Sequence, residues 1–321
     1  MVLGFQCGWG GWRCTADPSG NGMLPRETCT IRRRSLQNGR KVVAEAVSWG
    51  VIENEEWPRN LLEALVWAKE SEVEAKRVRM PLPMMKSRLK AVEDVKPRRM
   101  RLPRLEAAGG GGDGDMCALI PKLGDREQPP DAIDELAIQD VAARSDKGAV
   151  LVQTSMRYSR QSYEWMRAAR SRVECPVICQ DIFVYPWQFY EARYYHADAC
   201  VLIFKVLGAR DTLYFAKAMS ALGMAPIVEV HDASEMDEVM WLFRGDAGAD
   251  RPGAHMLLAR RAMHDLSVCL DGVETLLAPR TGRLESTRTQ LLLELPAGMR
   301  ADARMRRAFR QLGVTALIAD A

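Results

Sequence analysis

Aromatic residues are scarce, at 7% of 321 residues, and histidine is scarcer, with only four. Those four, His196, His231, His255 and His264, fall in no HxxxH or HExxH pattern, and the eight cysteines form no CxxC pair. The spacing of a zinc site is therefore missing, and no metal is expected. Cys175 and Cys179 flank Pro176-Val177-Ile178, which reads as one apolar strand, and the unpaired thiols suit a reducing compartment. No uncharged apolar run approaches the roughly 18 residues of a membrane span, so no membrane partner is expected. No GxGxxG follows the first apolar run, which removes the positive signal for a dinucleotide fold. Charge of one sign is also lacking. Lys+Arg number 45 against 42 Asp+Glu, a net charge of +3, too small by itself to argue for a nucleic-acid partner.

What is present suits a globular chain: 47% hydrophobic and 27% charged residues, enough to bury a sizeable core. Four segments follow from the composition. Residues 1–44 are rich in arginine and hold only Asp17 and Glu27 as acids before Ala44, a disordered or transit-like pattern. Residues 45–95 read as a helical extension, helical mainly from Trp57 to Glu93, with Pro58 near a helix start. There Leu61, Leu62, Leu65, Val66, Ala68, Val73 and Val78 recur on one face. Residues 96–115 read as a linker. Its basic, proline-broken run Lys96–Arg104 lacks interleaved aromatics for base stacking, so a solvated stretch is favoured over an RNA site. The glycine-rich Ala107–Asp115 completes it.

From Met116 to Ala321 short apolar runs alternate with segments of helical spacing. The runs are Cys117–Ile120, Ala149–Val152, Val177–Cys179, Ala199–Phe204, Pro226–Val230, His255–Ala259, Gln290–Leu293 and Ala316–Ile318. Continuously apolar strands separated by helices such as Tyr163–Arg172, Trp187–Tyr195 and Thr212–Leu222 imply a parallel sheet buried on both faces. A count of eight favours an α/β fold of the (β/α)8 TIM-barrel type over an open doubly wound sheet.

Cys175-Pro-Val-Ile-Cys-Gln180-Asp181-Ile-Phe-Val184, followed by Trp187-Gln-Phe-Tyr-Glu-Ala-Arg193, resembles the third strand and helix of indole-3-glycerol-phosphate synthases. Leu222-Gly-Met-Ala-Pro-Ile-Val-Glu229-Val-His231-Asp232 resembles that family's fifth strand. Ile31–Arg34, Pro58–Glu63 and Glu72–Leu82 resemble the amino-terminal part of plant-type members. The resemblance implies one (β/α)8 barrel with a helical segment over its catalytic mouth, no cofactor, and a chloroplast stromal location. It also implies a carbon–carbon carboxy-lyase that closes an indole ring on a carboxyphenylamino-deoxyribulose phosphate, with loss of carbon dioxide and water. Such chemistry needs an acid, a base, cations for the carboxylate, and phosphate-holding amides at strands seven and eight.

Carried over position by position, the resemblance is incomplete. Lys122 stands where the first strand has a glutamate, and Gly124 where it has a lysine; the Ser-Pro-Ser-Lys loop has no counterpart. Gln180 replaces the general-acid lysine, and an amide cannot give up a proton near neutral pH. Glu229 keeps the catalytic carboxylate position, either as a working base or as an inherited rim carboxylate. Ala259 replaces the catalytic asparagine, and Glu294 matches the seventh-strand glutamate although Leu295-Pro296 departs from the pattern after it. Asp320 falls where a phosphate should dock. Arg260 and Arg261, at the sixth strand end, either bind a phosphate or carboxylate together or turn outward into water. Asp181 reads as a hydrogen-bonding residue rather than a new acid.

The function expected is therefore that of a tryptophan-lineage barrel that has lost catalysis and serves as a binding or assembly component. The alternative is an active synthase that takes the sugar-phosphate substrate. No helix follows the eighth strand, so a protein partner or a second copy is expected to cover an incompletely closed barrel.

Overall fold

The computed structural model describes residues 6–7, 12–13, 58–91, 96–100, 116–124, 138–139, 148–155, 163–244, 253–286 and 289–320. The transit-like reading of residues 1–44 and the glycine-rich stretch Ala107–Asp115 lie outside the described residues, apart from two short antiparallel strands, Gln6–Cys7 and Trp12–Arg13. Those two strands belong to a separate unit, Met1–Ala44, and the rest of the chain forms the other.

Eight parallel strands close a barrel in chain order. They are β1 (Ala118–Leu123), β2 (Val150–Gln153), β3 (Val177–Gln180), β4 (Ala199–Ile203), β5 (Ala225–Val230), β6 (His255–Leu258), β7 (Leu291–Glu294) and β8 (Val314–Asp320). Each apolar run expected to be a strand contributes one. Inward residues such as Ile120, Leu151, Ile178, Ile227, Leu257, Leu292 and Ile318 form a packed interior, as a barrel of this size requires. Their outward neighbours join a larger layer between the sheet and the surrounding helices.

The expectation of imperfect closure is corrected. β8 pairs with β1 from Ala316↔Ala118 to Asp320↔Lys122, and with β7 on its other side. Its outward residues Leu317 and Ala319 are 0% and 5% exposed. These outward residues of β8 are buried within this chain.

Two helices precede the barrel, α1 (Leu61–Arg79) and α2 (Leu82–Lys90). Asn60 caps α1 by accepting the Glu63 N–H at 3.0 Å. Pro81, with no N–H to donate, divides what the sequence reads as one helical stretch. Leu62, Leu65, Val66 and Val73 are buried, but Val78 is 73% exposed, because at about 100° per residue it falls on the side of α1 opposite that stripe.

Among the described residues, further α-helices lie between strands: α3 (Tyr163–Arg172), α4 (Trp187–Tyr194), α5 (Phe204–Ala221), α6 (Ala233–Leu242) and, before β7, α7 (Val273–Leu277). A 3-10 turn, Ala278–Arg280, joins α7 to α8 (Thr281–Ser286), and α9 (Ala303–Gln311) precedes β8. α5 starts four residues before a break at Gly208, so its regular part is close to the helix expected from Thr212.

Residues 96–100 are docked rather than solvated. Arg98 donates its backbone N–H to Asp198 at 2.7 Å, and its guanidinium to the carbonyls of Val173 and Cys175 at 2.5 and 2.9 Å. Met100 packs on the inner cluster beside Ala225, the first residue of β5, so this segment closes the amino-terminal end of the barrel.

Candidate functional site

Side chains alternate along a strand, so the residue two places after an inward apolar one also points inward. Applying that step at the carboxyl ends turns Ile120 into Lys122, Leu151 into Gln153, Ile178 into Gln180 and Ile227 into Glu229. It likewise turns Ala259 into Arg261, Leu292 into Glu294 and Ile318 into Asp320. Seven polar side chains thus ring the carboxyl end of a packed interior. On β4 the same step, from the inward Val201, reaches an apolar residue, Ile203.

A cleft of about 520 Å³, counted with the space it shares with solvent, opens here. Leu62 and Leu65 of α1 line one side with Ile182, Ile203 and Leu266, and Gln153, Ser155, Gln180, Asp181, Glu229, His231 and Arg261 line the rest.

Buried charges survive only when paired, and these are. Glu229, 2% exposed, accepts from Arg261 Nε at 2.8 Å and from Gln180 Nε2 at 3.3 Å, and meets His231 Nε2 at 3.2 Å. Arg261 also donates through Nη2 to Glu294. Lys122 lies 3.3 Å from Glu294 and 2.9 Å from Asp320. Burial alone would raise the Glu229 carboxyl, but the Arg261 guanidinium and the His231 bond outweigh it and hold the group at about 2. Burial would lower His231, yet its bonds to Glu229 and Glu235 lift it to about 9, so it is an imidazolium at neutral pH. Glu294 and Asp320 likewise lift Lys122 against its burial.

Gln180 is spent on orientation. Its Nε2 donates to Glu229, and its Oε1 accepts from Gln153 Nε2 at 3.1 Å. The next residue, Asp181, accepts from Tyr163 Oη at 2.8 Å and lies 2.9 Å from Lys69 Nζ, itself paired with Glu72 at 3.0 Å. Burial and the neighbouring Asp181 raise the Tyr163 phenol well above its ordinary range.

Glu229, Gln180, Glu294 and Arg261 are thus brought into one connected set. Arg260 is not in it: its Nη1 would lie 3.1 Å from a Cβ on Gly272, and it lines no part of the cavity. Adjacent residues on a strand end face opposite ways, which separates the two guanidiniums that the sequence allowed to act together.

Gln153, His231, Glu235 and Lys69 are the participants that sequence reasoning missed. Lys69 had a signal, as a lone cation on the apolar face of α1 between Leu65 and Val73. Gln153 had a weaker one, as the polar residue ending the second apolar run.

A closed (β/α)8 barrel with its polar groups gathered at the carboxyl ends of the strands is the layout of barrel enzymes. Residues 129–281 match the family described as "Indole-3-glycerol phosphate synthase". Proteins of that name are similar over most of the chain. The one from Microcystis aeruginosa is 33% identical over 214 residues, covering 65% of this chain and 69% of the relative. The one from Trichodesmium erythraeum is 30% identical over 233 residues, covering 71% and 73%, and that from Rippkaea orientalis 29% over 265, covering 82% and 85%. The chain belongs to the indole-3-glycerol phosphate synthase family.

Proposed function

We propose that this member of the tryptophan-biosynthesis lineage no longer performs the family's ring closure and acts as a ligand-binding barrel. The observation that carries the reading is Gln180. In the place of the family's general-acid lysine stands an amide bonded between Gln153 and Glu229, with no proton to give near neutral pH. His231 does not replace it, because its two ring nitrogens face Glu229 at 3.2 Å and Glu235 at 3.1 Å, and its high midpoint makes proton release costly. Losing one preorganised group of this kind costs about 10²–10³ in rate. Here the asparagine is absent as well, with Ala259 in its position. The second reading, an active synthase, draws support from the names of the relatives and from Glu229, Arg261 and Glu294, which face one another across the mouth.

The test is conversion of carboxyphenylamino-deoxyribulose phosphate to indole-glycerol phosphate by the full chain, beside Gln180→Lys and Glu229→Gln. No turnover by the natural protein is expected. Turnover that Glu229→Gln abolishes would overturn the reading.

A further inference from the structure

The corner of a barrel mouth after strands seven and eight is where barrel enzymes commonly hold phosphate, through loop backbone N–H groups and a nearby cation. Both kinds of donor exist here, and both are taken by the chain's own carboxylate. Asp320, the last residue of β8, accepts the Gly298 N–H through Oδ2 at 2.8 Å, and its Oδ1 lies 2.9 Å from Lys122 Nζ. Gly298 sits in the turn that follows β7, closed by Met299 N–H to Pro296 O at 3.1 Å. Its φ of +73° suits glycine and aims its amide at Asp320.

The remaining charges reinforce this. Lys122 meets a second carboxylate, Glu294, while Arg261 is shared between Glu294 and Glu229. Among the described residues, the cations of the mouth are each met by two carboxylates, His231 and Lys69 included. The cavity does not reach this corner either: its lining includes none of Lys122, Glu294 and Asp320. What it offers is an apolar wall of Leu62, Leu65, Ile182, Ile203 and Leu266 facing the Gln180 amide and charges already paired within the chain, Glu229 with Arg261 and His231, and Asp181 with Lys69.

We propose that the Asp320 carboxylate fills the phosphate position at the β7–β8 corner, and that the cavity beside it takes an uncharged, mostly apolar molecule carrying a hydrogen-bonding group. This goes beyond the loss of ring closure, since a catalytically silent barrel could still bind a phosphorylated ligand.

Calorimetric titration of the full chain tests it, with indole as the uncharged apolar probe and glycerol 3-phosphate as the phosphorylated one. Indole binds the natural protein and Asp320→Gly alike. Glycerol 3-phosphate binds Asp320→Gly, and more weakly Asp320→Asn, at least about tenfold tighter than it binds the natural protein. Asp320 is partly exposed, at 36% of its side chain, so both variants keep the fold, and a melting curve checks that. Equal phosphate affinity in all three proteins would overturn the role of Asp320, and absence of indole binding would overturn the ligand class. Phosphate binding by the natural protein without turnover would sink this proposal alone, whereas turnover of the phosphorylated substrate would sink it together with the catalytic reading.

Discussion

Glu229 and His231 stand two residues apart on the inward side of β5 and its end, and each sets the charge of the other. The imidazolium is 5% exposed and lies between Glu229 and Glu235, so its charge contributes to folding rather than to solvation. A folded-state midpoint of about 9, against 6.5 for a free imidazole, means that this contribution is complete below pH 6.5 and is lost as pH rises through 9. The corresponding stability is about 3 kcal/mol. Urea denaturation at pH 6 and pH 9 should show a loss of that order in the natural protein and a much flatter profile in His231→Gln. Equal slopes would assign the alkaline loss to other groups. Gly124 shows the same interdependence sterically. A Cβ there would lie 2.8 Å from Gln153 Oε1, and its φ of +149° favours glycine. No lysine can therefore return to that place while Gln153 keeps its bond to Gln180.

At the scale of elements, α1 is held to the barrel by an apolar stripe with one charge in it. Lys69 is 4% exposed and pairs with Asp181 and Glu72, and these carboxylates raise its affinity for the proton despite burial. Lys69→Met would leave Asp181, 1% exposed at its side chain, without its cation. Breaking a buried pair from one side costs about 3–5 kcal/mol, so the unfolding free energy should fall by that amount, seen as a lower urea midpoint at an unchanged slope. A loss below 1 kcal/mol would mean that Tyr163 and the Ile182 N–H suffice for Asp181. The stripe itself was legible, because Leu62, Leu65, Val66 and Val73 recur at helical spacing. So were all eight strands, because a parallel sheet buried on both faces leaves continuous apolar runs. The polar ring was legible in part: Lys122, Gln180, Glu229 and Glu294 come from the likeness to the family, but which of Arg260 and Arg261 faces inward depends on the strand's phase. That phase is set by β6 pairing with β5 and β7 rather than by either arginine. Arg98 was illegible, since its partners are backbone carbonyls and an aspartate about 75–100 residues away, and nothing in a basic run announces them.

Across the barrel, residues 58–91 and 96–100 reach its two ends. Leu61 donates its N–H to Met263 O after β6, Trp187 Nε1 bonds Met80 O near the end of α1, and α2 runs against α4. The described chain resumes at Lys96–Met100 under the opposite end, where Arg98 ties the starts of β3 and β4 and Met100 meets the interior. A segment fixed at two distant places on one cooperative body should behave as part of that body. Arg98→Ala keeps the backbone bond to Asp198 but removes the guanidinium bonds to the Val173 and Cys175 carbonyls, at a cost of about 1–3 kcal/mol. Sites so far apart share no partner, so the double variant Lys69→Met/Arg98→Ala should lose the sum of the two single costs, within about 0.5 kcal/mol, in one transition. Fluorescence and far-ultraviolet dichroism should then unfold together, the eight tryptophans of the chain serving as the first probe. An early step in dichroism alone would mean that the segment peels away as its own unit before the barrel opens.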